Sequence, residues 1–422
     1  MLQKTNLFKQ LNEVYFSVKT LIKWLVLGSF IGFLVGSVCS IFGHMLVWAN
    51  NYRMAHQWIS YLLPLGGLVI IFMYRIWNNE DDKGTNTVIS SIHSNTGIRT
   101  RMAPLIYVST MITHFLGGSA GREGAAIQLG GSIANRIGRE LSLNDNDQRI
   151  IIMCGMSAGF SALFGAPMAA AIFSLEVISI GIMHYSALVP CVTASMTAHF
   201  LANYLEVKPE SFLVASIPEF APLIFVKVII FAALAGGISI LFCICLHETA
   251  HLYKKFIKDR YIRIFVGGCL ILLLCAVLGT NDYLGSGQSI MEHIFHYEEI
   301  EWYSFLLKMV FTALTLGAGF KGGEIVPSFC IGAAFGCAVA TLFGLPTTLV
   351  AACGMVGVFC GVTNCPITSL LISFELFGFE GMPYYLTTVV VSYMLSGYYG
   401  LYRSQKIMYS KTETNFVNRE AK

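Results

Sequence analysis

Charged residues are scarce in this sequence. Only 12% of its 422 residues are Asp, Glu, Lys or Arg, whereas 55% are hydrophobic. A water-soluble domain carries about twice that charged fraction, so the composition excludes one. The few charges also leave long uncharged runs, among them 24–52, 150–175 and 325–374. Because a helix needs about 20 apolar residues to cross a bilayer, the runs predict about ten to twelve membrane-embedded segments.

Cysteine pairs are also scarce, with paired spacing only at Cys243 and Cys245, and neither a secretory signal nor a cofactor motif is evident. The twelve cysteines are scattered through the apolar runs, where we interpret them as small buried hydrophobic residues. The first apolar run begins late and is far longer than the core of a secretory signal. No phosphate-binding loop is visible, and the net charge of +3 reflects loop asymmetry and indicates no nucleic-acid partner.

The distribution of lysine and arginine predicts the orientation in the cell membrane. The N-terminal segment with Lys4 and Lys9, the loop at 254–263 and the tail from Arg403 are basic, so we expect them in the cytoplasm. The acidic loops at 206–219 and 292–301 are then expected outside. Both termini are therefore predicted to be cytoplasmic in a multi-pass protein.

The chain contains an internal repeat. Segment 154–176 aligns without a gap with segment 353–375, with identities at Cys, Gly, Met, Phe, Pro, Ser and the final Glu. The same offset gives further pairs: Gly118 with Gly317, Arg122 with Lys321, and Gly124 with Gly323. Two-fold repeats are typical of secondary transporters, whose substrate lies at the repeat interface. We predict a cytoplasmic segment (1–20), a first membrane repeat (21–205), a second (206–402) and a cytoplasmic tail (403–422).

Three glycine-rich breaks interrupt the apolar runs, at 84–88, 117–131 and 317–329. Non-helical backbone in a membrane survives only where it is buried or lines a cavity, so the breaks point to a shared internal site. Each break ends at a predicted helix N-terminus, which favours an anion. The sequence therefore predicts a small, negatively charged substrate.

Glu123 is the most informative residue, because a carboxylate at the start of a membrane helix is costly unless it has a function. In one interpretation its carboxylate occupies the anion position, leaves when protonated, and so exchanges a proton for an anion. In the other it is a helix-capping acid paired with Arg122.

At these residues the chain resembles the CLC family of anion channels and anion/proton exchangers. Gly121-Arg122-Glu123-Gly124 is similar to the family's gating-glutamate motif, Gly84-Thr85-Asn86 stands where it has Gly-Ser-Gly, and Tyr402 stands where it has the pore tyrosine. The resemblance implies an all-α polytopic fold of two inverted-topology repeats, assembled as a homodimer in the lipid bilayer. Beside the gating Glu123 it implies these anion-site residues: Thr85, Asn86, Arg122, Gly124, Ala125, Glu324, Ile325, Val326 and Tyr402.

Departures from the family pattern decide the branch. Ala125 replaces a proline, Glu324 precedes Ile325 where an aromatic residue is usual, and Val177 lies where chloride/proton exchangers carry an internal glutamate. The set is similar to the fluoride/proton antiporter branch, although Thr85 replaces that branch's usual Met or Asn. A chloride channel or chloride/proton exchanger is the alternative.

Fluoride fits the polarity of these positions, since a strongly hydrated anion needs dense hydrogen bonding to replace its water. Thr85, Asn86 and Tyr402 are candidate donors, together with the backbone N–H groups at 123–125 and 324–326. An ionised Glu324 cannot solvate an anion, so it is either protonated or a structural cap.

Two other motifs are set aside. His247-Glu248-Thr249-Ala250-His251 matches a zinc-protease pattern, but it lies at the basic end of a span and lacks a convincing third ligand. We therefore expect no metal site and no enzyme activity. Gly285-Ser286-Gly287 spells the family's anion motif, but the repeat makes it the symmetry mate of Gly84-Thr85-Asn86, so we interpret it as structural.

Overall fold

The computed structural model describes residues 2–94 and 97–422, with backbone alone for residues 2–11. The side chains of Lys4 and Lys9, used above for orientation, lie outside the described part. The first half has eight α-helices in that part: α1 (Leu2–Ala55), α2 (Leu63–Ile76), α3 (Thr85–Ser94), α4 (Met102–Phe115), α5 (Glu123–Glu140), α6 (Asp145–Phe164), α7 (Pro167–Glu176) and α8 (Leu188–Tyr204).

The second half repeats this number. Its helices are α9 (Pro222–Phe256), α10 (Arg260–Leu278), α11 (Gln288–Tyr297), α12 (Ser304–Ala318), α13 (Ile325–Phe343), α14 (Thr347–Thr363), α15 (Pro366–Phe377) and α16 (Met382–Leu395). Short 3₁₀ segments span Gln57–Leu62 and Tyr185–Ala187, and three strands are β1 (Ser179–Ile180), β2 (Lys406–Tyr409) and β3 (Phe416–Glu420).

By length and composition, five helices within the described residues can each cross a membrane: Asn12–Ala55, Gln57–Ile76, Pro222–Phe256, Arg260–Leu278 and Ile325–Phe343. Five shorter apolar helices of 10–17 residues accompany them. Helix α1 runs on through residue 20, so the predicted N-terminal segment is continuous with the first span and has no structural boundary there.

Glycine allows the central helices of each half to touch. A Cβ on Gly130 of α5 would lie 2.0 Å from the carbonyl oxygen of Gly155 in α6, and a Cβ on Gly332 of α13 would lie 2.2 Å from that of Gly354 in α14. Small residues let membrane helices approach at backbone distance, where packing stabilises the pair. The two close pairs form matching centres of the two repeats.

The repeats are inverted, as predicted. Helices α7 and α15, which come from matching positions of the two halves and both begin with proline, lie side by side. A glutamate at or near the end of each hydrogen-bonds the first turn of the other. The two helices therefore run in opposite directions.

The tail beyond Tyr402 folds against the helix ends. β2 pairs in parallel with β1 and antiparallel with β3, which gives a three-stranded sheet that the all-helical prediction did not include. The buried side chain of Gln405 donates from Nε2 to the carbonyl oxygens of Val177 (3.0 Å) and Thr363 (2.9 Å). The position where exchangers carry an internal glutamate is thus apolar and covered by the tail.

Candidate functional site

Three helix N-termini meet at Gly124. The backbones of Gly121 and Gly323 exchange two N–H···O bonds of 2.7 Å, which joins the segments that precede α5 and α13. A Cβ on Gly124 would lie 2.8 Å from Gly323 Cα, 3.5 Å from Thr85 Oγ1 and 3.7 Å from Glu324 Oε2. The first turns of α3, α5 and α13 therefore converge on one point between the repeats.

Such a convergence attracts negative charge. The first N–H groups of a helix have no partner within the helix, and the positive end of its dipole lies there. In α5 and α13 these groups belong to Glu123, Gly124, Ala125, Ile325 and Val326, all of which are buried. The predicted backbone donors are thus brought together by the structure.

Glu123 is fully buried at the start of α5. Its Oε2 accepts from the backbone N–H of Arg122 at 3.1 Å, and its Oε1 accepts from Arg122 Nε at 3.3 Å. The carboxylate folds back toward Gly121, and its Oε2 lies 3.3 Å from the position that a Cβ on Gly121 would take. In this conformation Glu123 occupies donors at the helix end that would otherwise face an anion.

Arg122 has a second acidic partner that no sequence motif indicates. Its Nη2 donates to Glu210 Oε1 at 2.6 Å, and both side chains are at most one-tenth exposed. Glu210 belongs to the loop between α8 and α9, whose acidic character alone predicts exposure to water. The hint in the sequence is the apolar Phe212 two residues later, which is buried as Glu210 is.

Two hydroxyl groups at the site have a proton to donate. Thr85 is buried, and its Oγ1 accepts from Gln128 Nε2 at 3.2 Å, which leaves the Thr85 proton available. Tyr402 is 1% exposed, and its hydroxyl has no hydrogen-bond partner among the described residues. Both Glu123 and Glu324 lie close enough to Tyr402 to act on it electrostatically.

Glu324 directly precedes α13, but its side chain makes no capping hydrogen bond to that helix. Its Oε2 is buried and has no hydrogen-bond partner in the described part of the chain. Of the two hypotheses for this residue, protonation therefore has the more direct structural support. A protonated carboxyl group can donate where an ionised one repels an anion.

Asn86 contacts the tail of the chain. Its Oδ1 accepts from the backbone N–H of Ser404 at 2.9 Å, and Ser90 Oγ donates to Ser404 Oγ at 2.8 Å. The residue predicted as a direct anion donor thus attaches α3 to the tail next to Tyr402. Sequence reasoning missed this because Ser404 lies far along the chain, in the segment predicted as a cytoplasmic tail.

A large cavity, here called the vestibule, opens toward the site. Its volume is about 1370 Å³. Thr85, Gln128 and Glu324 line it where it reaches the site, and Lys254 and Lys258 line it near the end of α9. Glu324 and Thr85 belong to its lining, whereas Glu123 and Tyr402 do not.

The loop before α3 is held by a third contact that the sequence does not indicate. Asp82 Oδ1 accepts from the backbone N–H of Gly84 at 3.2 Å and from Thr87 Oγ1 at 3.1 Å. Asp82 Oδ2 lies 3.7 Å from Lys321 Nζ, which belongs to the glycine-rich break of the other repeat. This ion pair therefore fixes the start of α3 relative to α13.

The second Gly-Ser-Gly motif is occupied by a lysine. Lys308 is fully buried, and its Nζ donates to the carbonyl oxygens of Gly285 (2.7 Å) and Tyr283 (3.1 Å) and to Ser119 Oγ (2.9 Å). The carbonyl oxygens of this loop thus accept hydrogen bonds from the Lys308 ammonium group, in agreement with a structural role for the motif.

The zinc-protease pattern gains no support. His247, Glu248 and His251 lie on α9 and line the vestibule. Among the described residues, no group of three His, Cys, Asp or Glu side chains is placed to hold a metal ion.

Comparisons with known proteins agree with this geometry. The chain is 36% identical over 397 residues to a chloride/fluoride channel protein of Pseudomonas syringae pv. tomato, and the match covers 92% of this chain and 87% of the relative. A crystal structure of a CLC-type fluoride/proton antiporter matches with a TM-score of 0.89 and 34% identity, over 92% of this chain and 98% of that one.

A more distant structure shares the fold. A slow cyanobacterial Cl⁻/H⁺ antiporter matches with a TM-score of 0.74 and 20% identity, over 89% of this chain and 94% of that one. The sequence model of the family described as voltage gated chloride channel matches residues 66–397. With its inverted repeats and its glutamate at three converging helix ends, the chain belongs to the CLC family of anion transporters.

Proposed function

We propose that this chain is a fluoride/proton antiporter that exports fluoride, with Glu123 as the gate shared by both ions. The observation that carries the proposal is the position of the Glu123 carboxylate on helix-end donors at the convergence point. A relative at 36% identity is described as a chloride/fluoride channel protein, and a solved structure at 34% identity as a fluoride/proton antiporter.

The site offers an anion the donors that Glu123 gives up. An ionised Glu123 blocks the path because it occupies the helix end and repels anions. Once protonated, the carboxyl group is held less strongly by Arg122, and the backbone N–H of Arg122 becomes free beside those of Gly124 and Ala125. Fluoride then replaces part of its hydration shell with these groups and with the hydroxyls of Thr85 and Tyr402.

The proton leaves by a route through Glu324. This residue lies between the convergence point and the vestibule, and its Oε2 lacks a partner among the described residues. A carboxyl group there can take a proton from Glu123 and release it into the vestibule. The alternative position, at Val177, holds no titratable side chain.

The vestibule is assigned to the cytoplasmic side. Lys254 and Lys258 line it, and basic loops remain in the cytoplasm. The loop with Glu210 precedes α9, whereas the vestibule lies near its other end, so Glu210 is assigned to the outer side. Both termini are then cytoplasmic, and the family resemblance supports a homodimer in the cell membrane.

The experiment is ion flux in proteoliposomes. Vesicles loaded with fluoride or with chloride are diluted into anion-free buffer while an ion-selective electrode and a pH electrode record both ions. We expect fluoride efflux with coupled proton uptake, and much slower chloride efflux. Equal chloride efflux without a pH change would instead identify a chloride channel.

A further inference from the structure

The Arg122 guanidinium lies between two buried carboxylates. Its Nε is 3.3 Å from Glu123 Oε1, and its Nη2 is 2.6 Å from Glu210 Oε1. The bond to Glu210 is the shorter one. A single positive charge is therefore shared, and the gate holds one negative charge in excess when both acids are ionised.

The loop is built to keep Glu210 in place. The backbone N–H of Glu210 donates to the carbonyl oxygen of Phe164 at 3.3 Å. Two residues later, the N–H of Phe212 donates to the carbonyl oxygen of Leu376 at 3.2 Å. The ring of Phe212 packs on that of Phe295 at 4.7 Å. The loop thus contacts the ends of both α6 and α15, so the position of Glu210 is set by both repeats.

The charged groups around Glu210 come from three helices. Arg122 and Glu123 face it from the start of α5, Glu292 acts on it from α11, and His114 of α4 donates from Nε2 to Gly121 O beside Arg122. Burial raises the pKa of the Glu210 carboxyl above its ordinary value, and Glu292 adds to this rise, while Arg122 opposes it.

We propose that Glu210 is a positioning residue that divides the Arg122 guanidinium between itself and Glu123, and thereby sets the pH at which the gate takes up its proton. Resting on the proposed function, this inference explains how Glu123 can be released although it lies beside a buried cation. When Glu123 is protonated, Glu210 still neutralises Arg122, so no unpaired positive charge is left in the gate.

Without Glu210, the ion pair would belong to Glu123 alone. A buried cation with one carboxylate partner holds that carboxylate ionised, and an opposite charge at this distance moves the titration by about 1 pH unit or more. The anion that replaces Glu123 would also be held by the unbalanced Arg122. We therefore expect transport that needs more acid outside and binds fluoride more tightly.

The test is the pH dependence of proton-coupled fluoride flux in Glu210→Gln. Glutamine keeps the size and the acceptor oxygen for Arg122 but removes the charge. We expect the midpoint of the pH profile to fall by about 1 unit, with the ratio of protons to fluoride unchanged. Glu219→Gln is the matched control, because Glu219 lies in the same loop but is exposed.

A second variant keeps the test valid if Glu210→Gln does not fold. Glu210→Asp keeps the charge but withdraws it from Arg122, and it should move the midpoint in the same direction by a smaller amount. Wild-type midpoints in both variants would overturn the inference. This outcome differs from failure of the proposed function, in which the wild-type protein itself shows no proton-coupled fluoride flux.

Discussion

Glu176 caps the helix that ends near Glu375, and Glu375 caps the helix that ends at Glu176. Glu176 accepts from the N–H groups of Ile367 (3.1 Å) and Thr368 (2.9 Å) in α15. Glu375 accepts from those of Met168 (2.8 Å) and Ala169 (2.9 Å) in α7. The inverted repeat is thus fastened at both ends by one interaction and its symmetry mate.

The two caps predict unequal losses of stability. Glu176 is buried and also accepts from Thr368 Oγ1 at 2.7 Å, whereas the bond of Glu375 to Met168 N is exposed. Glu176→Ala leaves the buried N–H group of Thr368 without a partner, which costs about 1–3 kcal/mol. We expect the melting temperature in detergent to fall more for Glu176→Ala than for Glu375→Ala. Glu140→Ala, at an exposed ion pair, is the control.

Glu123→Gln is expected to abolish proton coupling. Glutamine retains the size and the bond from Arg122, but it cannot carry a proton between the two sides. Fluoride will then either leak without moving protons or stop moving, and a fluoride gradient will no longer drive a pH change in vesicles. If Glu123 is only a helix cap, the variant loses about 1 kcal/mol of stability and still couples at the wild-type ratio.

Gly124→Ala tests whether the convergence of helix ends matters. The added Cβ would lie 2.8 Å from Gly323 Cα, so α5 and α13 must separate. Overpacking of this kind costs about 1–3 kcal/mol. We expect fluoride flux to fall about tenfold or more, because displaced donors lose their alignment. Gly237→Ala, where nothing lies within 4 Å, should transport normally.

Thr85 variants separate the hydroxyl group from the methyl group. Thr85→Val removes the free proton beside Gly124, so fluoride flux should fall. Thr85→Ser keeps the hydroxyl but removes a methyl that narrows the site, so chloride should compete better with fluoride. Competition assays with both anions measure this. Unchanged relative fluxes in both variants would mean that Thr85 does not face the anion path.

The orientation of the two halves can be tested by labelling. Asp82, next to Lys83 and Gly84, is buried, but the side chain of Asp81 is 97% exposed and suits a cysteine substitution. Its counterpart is Glu299 after α11.

Of the twelve native cysteines only Cys245 and Cys269 are not buried, so the background needs just those two replaced. Inverted repeats predict reagent access to the two sites from opposite sides of the membrane, and access from one side would contradict the predicted topology.

Local motifs made the membrane fold and the centre of the site predictable. Glu123 and Gly124 lie in one short motif, and the constant offset of the internal repeat points from it to the partner break around Gly323. The glycine-rich breaks lie directly before the helix starts in the sequence, so the helix N-termini at the site could be located from the sequence.

Contacts over long sequence distances were not predictable. Glu210 looks like one acid among several in a loop, and only the fold turns it toward Arg122. Asn86 looks only like a donor to an anion, but its carbonyl oxygen also accepts from the backbone N–H of Ser404. The tail forms strands because β2 pairs with β3 and with the distant β1, and the pairing with β1 is set by the fold and not by a local pattern.

The side chain of Gln405, bound across the carbonyl oxygens of Val177 and Thr363, has a kinetic consequence. With no titratable side chain at Val177 and with the proposed proton route through Glu324, protons and fluoride share the vestibule on that side. Two ions that enter by the same cavity cannot pass through it side by side, so one ion must leave before the other enters. The two ions must therefore use the vestibule one after the other. A high concentration of either ion on that side should slow the release of the other.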